Sequence, residues 1–224
     1  MRKYLIYSTF LIIGLITIFI IYFSIYGLKT ERFNNLIIDK IKTIDSKLLL
    51  NINDVFLRLD IKEKSININT KNPKIYFGKE FINLSKIDLK LDIVKFLKKK
   101  NSIESIKILT TKNKIKKITS FLSSYKFSIP RQIIYNQIED GYIQANIDVN
   151  FNENDQKKLK FNLAGKVSEA KLNVLNNVII KDINFDFNIK DKKYNIKKST
   201  FNYEEINFYS KEILIEQFEN KYLI

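Results

Sequence analysis

The sequence predicts a mainly β protein with a few helices: an N-terminal transmembrane helix, an amphipathic helix, then a long antiparallel meander. Three observations carry that reading. Residues 4–28 contain no charged side chain. Just beyond them, Phe33, Leu36, Ile37, Ile41 and Ile44 recur at helical spacing. From about Leu48 onward, apolar and polar residues alternate with a period of two, segment after segment.

The uncharged run spans 25 positions. As a helix it rises roughly 37 Å at 1.5 Å per residue, against about 30 Å of bilayer hydrocarbon. A cleaved signal peptide carries a shorter apolar region that ends at small residues. Here Phe19, Ile20, Ile21, Tyr22, Phe23, Ile25 and Tyr26 fill the end, which predicts an uncleaved anchor over 1–28. Arg2 and Lys3 favour an N-terminus in the cytoplasm. Lys29, Arg32, Lys40 and Lys42 beyond the run argue the other way. Long domains translocate largely regardless of charge, so the expected topology is single-pass, N-terminus inside and body outside.

Composition narrows the chemistry. The chain has no Cys, His or Trp, so no disulfide can form, and His-based triads and the usual zinc ligand sets are excluded. No catalytic residue, metal or cofactor is expected, and neither is an enzyme. The net charge is +15, a value that invites a nucleic-acid partner. Lysine, however, outnumbers arginine 35 to 4, whereas phosphate and base readers lean on arginine's bidentate fork. Abundant Lys, Asn and Ile is what AT-rich codon usage produces. The next reading is attraction to anionic lipid head groups, about 1 kcal/mol per basic residue near a membrane surface.

Thr30 reads as the N-cap of the amphipathic helix, with Glu31 in its first turn. That helix is expected to cover one end of the core, the other reading being a helix that lies on the membrane face beside the anchor. Strands are expected where Val55, Leu57, Leu59 and Ile61 alternate with polar residues, and at Ile66 and Ile68. Asn72-Pro73 marks a turn. Further strands follow at Ile87, Leu89, Leu91 and Ile93, and at Ile143, Ala145, Ile147, Val149 and Phe151. Leu159, Phe161 and Leu163 continue the pattern, as do Ile183, Phe185, Phe187 and Ile189. Polar breaks at Asn152–Asp155 and Asp191–Lys193 read as hairpin turns. Short helices are expected over Ile93–Lys99 and from Lys114 through Leu122. The Pro130-containing segment 125–137 is expected to connect subregions 29–124 and 138–224. Lys221–Ile224 reads as a strand with no polar tail behind it, so the chain is expected to be the N-terminal part of something longer.

This order of parts resembles the AsmA-like proteins, relatives of TamB and YhdP and, distantly, of bridge-like lipid-transfer proteins. The resemblance rests on the anchor, the helix Thr30–Ile44, the strand pair Val55–Thr70 and the Asn72-Pro73 turn. Its most specific part is Ile87-Asp-Leu-Lys-Leu-Asp-Ile-Val-Lys-Phe-Leu97, a basic break, then Ile103-Glu-Ser-Ile-Lys-Ile108. Gly141–Ile147 and Leu163–Leu175 look like the repeated strands of that family. The resemblance implies an inner-membrane protein whose periplasmic body is a long twisted sheet curling into an apolar groove. Phospholipid acyl chains would slide along that groove in outer-membrane biogenesis. The implied lining is Ile87, Leu89, Leu91, Ile143, Ile147, Val149, Phe151, Phe161, Leu163, Ile183, Phe185 and Phe187. The implied partners are membrane phospholipids and envelope proteins, with no nucleic acid. Period-two alternation equally suits a β-sandwich with two dry faces packed together. An anchored sandwich resembling the LptC component of lipopolysaccharide export, and a non-transporting envelope scaffold, are the alternatives.

Overall fold

The structure is a computed structural model that describes residues 2–31, 34–44, 46–52, 54–98, 102–125, 129–151, 160–174, 178–191, 193–218 and 221–223. The expected turn at Asn152–Asp155 lies outside these residues, as does Phe33 of the amphipathic stripe.

The uncharged run forms helix α1 (Arg2–Ile25). Its apolar side chains stand open along its length, Phe10 for example at 71% exposure. It is the one helix among the described residues long and apolar enough to cross a membrane. The helix stops three residues before the run does. Tyr26 and Gly27 still donate to the Tyr22 and Phe23 carbonyls. Gly27 then adopts a φ of +70°, the left-handed turn that ends many helices. Strand β1 (Leu28–Thr30) follows at once. Thr30 is therefore not a helix cap: it pairs with Val55 of β3 (Asp54–Asp60). Ladder pairing at the sheet edge wins over the local capping preference, and helix α2 begins later (Asn34–Ile44).

The body is one large antiparallel sheet. From β3 it continues through β4 (Ser65–Lys71), β6 (Glu80–Asp92), β7 (Ile103–Thr110) and β9 (Ile138–Asn150). It then runs through β10 (Lys160–Val174), β11 (Val178–Lys190), β12 (Lys193–Tyr203), β13 (Ile206–Phe218) and β14 (Lys221–Leu223). The sheet does not close on itself, since β1 and β14 stand at opposite ends of the order. Because β7 pairs with β9, the two expected subregions share a single continuous sheet.

β2 (Leu48–Asn51) and β5 (Lys74–Phe77) add a second layer. β6 belongs to both layers. Its first residues pair with β5 and its later ones with β4. The Asn72-Pro73 turn makes the step between them: Asn72 has a φ of +48° and donates to the Ser85 carbonyl. Ile37 of α2, Leu50 and Ile52 close over Val55, Leu57, Ile68, Ile87, Leu89 and Leu91 in one core. This end of the protein is a filled sandwich.

The remaining helices sit beside the sheet. α3 (Ile93–Leu97) is capped by Asp92, whose carboxylate accepts from the Lys95 N–H at 2.9 Å. α4 (Ile115–Tyr125) follows the two-residue strand β8 (Asn113–Lys114) and buries Phe121 against Phe77. The connection over 125–137 is largely helical, as α5 (Ile129–Gln137). Pro130 stands in its first turn, where no intrahelical N–H is required.

A seam crosses four neighbouring strands at one level. Gly141 on β9, Glu169 on β10, Asp182 on β11 and Lys198 on β12 all have positive φ. The β9–β10, β10–β11 and β11–β12 ladders each shift register there. Such bulges leave one residue unpaired and bend the strand. They also slip the alternation by one position: Phe161, Leu163 and Val167 are followed by Ala170, Leu172 and Val174.

Candidate functional site: the apolar face of the sheet

Lateral pairing lines up one apolar row across the sheet. Val55 pairs with Thr70, Thr70 with Ile87, Ile87 with Ile108 and Ile108 with Ile147. Ile147 pairs with Leu163, Leu163 with Ile189, Ile189 with Tyr194 and Tyr194 with Ile215. Paired residues of an antiparallel ladder lie on the same face, so this is one continuous dry surface.

Its two halves differ in what covers them. Ile87 and Leu91 are 1% exposed and Leu89 is 3% exposed, sealed under Ile37 and the β2–β5 layer. These three expected lining residues therefore belong to the closed core and face no open surface. The other expected residues lie outside that core. Ile143, Ile147, Val149, Phe151, Leu163, Ile183, Phe185 and Phe187 are half-buried, and Phe161 is 42% exposed. Among the described residues, β11, β12 and β13 pack chiefly on their neighbouring strands, while α4 packs on β6 as well as β9 and α5 reaches β9 and β10. Ile138, Val167 and Ala170 are buried at one end of β9 and β10, so the dry face is open over β11–β13 and the Phe161 end of β10 rather than over its whole extent.

Seven of the expected residues are close neighbours in register. Ile143 pairs with Val167 and Val167 with Phe185. Ile147 pairs with Leu163, and Phe161 with Val149. Phe187 lies opposite Gly165, and its ring stands 6.3 Å from that of Phe185. Sequence reading missed Tyr194, Ile196, Ile213 and Ile215, which extend the surface onto β12 and β13. Each strand offers only two alternating apolar positions there, too short a run to stand out.

The opposite face is wet and charged. Lys193 pairs with Glu216 at 2.8 Å, and Glu212 accepts from Asn195 at 2.8 Å with Lys197 at 3.4 Å. Hydrogen bonds from Asn195 and Lys197 hold the Glu212 carboxyl below its ordinary value. A hollow of about 650 Å³ opens on this side between Ala164, Asp186, Asn188, Asn195 and Lys197. A second, of about 290 Å³, lies between Arg58, Asn67, Asn69 and Asp88. No group of carboxylates among the described residues is arranged to hold a metal ion.

No protein family, curated protein or solved structure matches the chain.

What the arrangement offers chemically is apolar contact without a defined cavity. Burying apolar surface stabilises a ligand by about 25 cal/mol per Å². β9 alone has 13 residues, about 44 Å at 3.4 Å per residue. An extended hydrocarbon chain laid here would meet Ile143, Ile147 and Val149 along β9.

Proposed function

We propose that this is a membrane-anchored protein of the AsmA-like kind that carries phospholipid acyl chains along the dry face of β9–β13. The observation that supports the reading most is the absence, among the described residues, of a covering layer over β11–β13, although Phe185, Phe187, Ile189, Tyr194, Ile196, Ile213 and Ile215 fall on one side of them. An exposed apolar area of that extent marks an interaction site rather than an ordinary surface. The reading places the body outside the cytoplasm at the inner membrane, and gives the face the curvature of a shallow groove when loaded. α1 holds the body at the bilayer that supplies or receives lipid, and carriage requires no catalytic group. The filled sandwich at β2–β7 acts as the rigid base.

Photocrosslinking residues placed at Ile147, Phe161 and Phe187 of the full chain in cells test this. Capture of phospholipid is the expected result. Capture of protein segments alone would overturn the groove and leave an anchored scaffold. The stretch of β13 that β14 leaves unpaired among the described residues, with Ile206, Tyr209 and Leu214 exposed, is where such a scaffold would add a partner strand.

A further inference from the structure

We infer that the smaller wet-face hollow, beside the exit of α1, is a resident binding site for a phospholipid head group. The group it fits carries both a phosphate and a hydrogen-bond donor. This site is separate from the proposed acyl-chain surface, which lies on the other face. It depends only on α1 spanning a bilayer.

The depth of the site is set by Arg58. Its Nε donates to the Ser24 carbonyl at 2.9 Å, in the last turn of α1. Tyr22 and Tyr26 flank that turn, their rings 5.0 Å apart. Tyrosines at the end of a spanning helix sit at head-group level, so Arg58 stands at that level too. Guanidinium has five N–H donors. With Nε engaged, the two Nη groups remain, the fork that grips phosphate bidentately. Among the described residues no carboxylate forms an ion pair with Arg58.

The hollow has about 290 Å³ and extends from Arg58 past Asn67 and Asn69 to Asp88, Lys90 and Lys107. Strand pairing fixes this arrangement, since Arg58 pairs with Asn67, Asn67 with Lys90 and Asn69 with Asp88. Lys90 is neutralised between Glu63 at 2.8 Å and Glu104 at 3.3 Å. Lys107 leans on Asp148 at 3.8 Å. Arg58 is therefore the cation of the lining left for an anion. Asp88 supplies the complementary half. Its Oδ2 meets Lys86 at 2.6 Å, but its Oδ1 is buried with no hydrogen-bond donor. A buried acceptor without a donor is costly to leave unmade. Once the carboxyl turns its Oδ1 into the hollow, a glycerol hydroxyl or an ethanolamine ammonium supplies that donor, whereas choline has none. The chemistry thus selects phosphatidylglycerol or phosphatidylethanolamine over phosphatidylcholine.

The test uses the full chain in nanodiscs of equal phosphatidylglycerol and phosphatidylcholine, extracted into mild detergent, with retained lipid counted by native mass spectrometry. Preferential retention of phosphatidylglycerol is expected, with a drop of about tenfold in Arg58→Gln from loss of the charge-assisted contact. Asp88→Ala removes the acceptor and keeps the backbone ladder. It is expected to hold both lipids alike, so the test does not hinge on whether Arg58→Gln folds. Equal retention of the two lipids by the unaltered chain would overturn the inference. So would an unchanged preference in Asp88→Ala, or stripping of the lipid by inorganic phosphate, which would mark a site for a soluble anion.

Discussion

The Phe187 ring closes over Gly165. A Cβ at position 165 would stand 2.5 Å from Cζ of that ring and 2.9 Å from Cε1, and would also meet the Gln144 carbonyl oxygen. The missing side chain on β10 is what lets an aromatic from β11 lie across the strand. Gly165→Ala is therefore expected to destabilise the protein by about 1–3 kcal/mol, the usual cost of overpacking. In a Phe187→Ala background the same change should cost less, because only the carbonyl contact remains. Urea unfolding followed by circular dichroism on all four proteins measures the coupling. Strict additivity would show that the ring is not what fills the space.

The two halves of the dry face should respond differently to truncation. Leu89 is 3% exposed beneath Ile37 and the β2–β5 layer, and Leu89→Ala leaves a cavity that costs about 2–5 kcal/mol. Phe161 is 42% exposed on the open half. Phe161→Ala loses less contact and encloses no void, so about 1 kcal/mol or less is expected. Equal losses at the two positions would mean that something covers the open half in solution.

That contrast marks the limit of what sequence patterning carries. Period-two alternation announced the strands from Val55 to Ile189, because it depends only on which side of a pleat each residue takes. It reads the same for Ile87, Leu89 and Leu91 as for Ile143, Ile147 and Phe161. Their separation into sealed core and open face comes from where α2 and β2 fold back, a long-range event. The seam was equally silent. Glu169 and Lys198 adopt positive φ without being glycine or asparagine, so no local residue preference announced the slip in alternation. Thr30 misled for the opposite reason: a good helix cap was captured by the edge of β3. The Asp92 cap of α3 was not legible by its spacing alone, yet the short helix after it was, from Val94 and Leu97.

Acid should loosen the protein through a small set of surface carboxylates. Asp92 is held low by the Lys95 N–H, Glu139 by Lys171, Asp140 by the Gly141 N–H and Glu212 by Asn195. A carboxyl whose folded value lies below its unfolded one stabilises the fold above the unfolded value. That contribution is lost as pH falls through the folded value. The ordinary values are 3.8 for the aspartates and 4.5 for the glutamates. The melting temperature is thus expected to hold steady from neutral pH to about 5 and to fall below that. Asp92→Asn and Glu139→Gln together should flatten the fall. A melting temperature that begins dropping near neutrality would assign the effect to other groups.

Gly27 joins α1 to the sheet with no slack. Its φ of +70° disfavours any side chain, and a Cβ there would approach the Leu57 carbonyl oxygen to 2.6 Å. One residue later, Leu28 pairs with Leu57, and Arg58 holds the Ser24 carbonyl from the other side. Gly27→Ala must therefore either strain the turn or push β1 off β3. The strained turn alone costs roughly 1–2 kcal/mol, and release of a three-residue edge strand is the easier outcome. Hydrogen exchange in the full chain is expected to quicken at Leu28–Thr30 while the Ile68 and Leu89 amides stay protected. Protease cleavage should appear between α1 and α2. Unchanged exchange at Leu28–Thr30 would mean that β1 contributes nothing to holding the sheet against the end of α1.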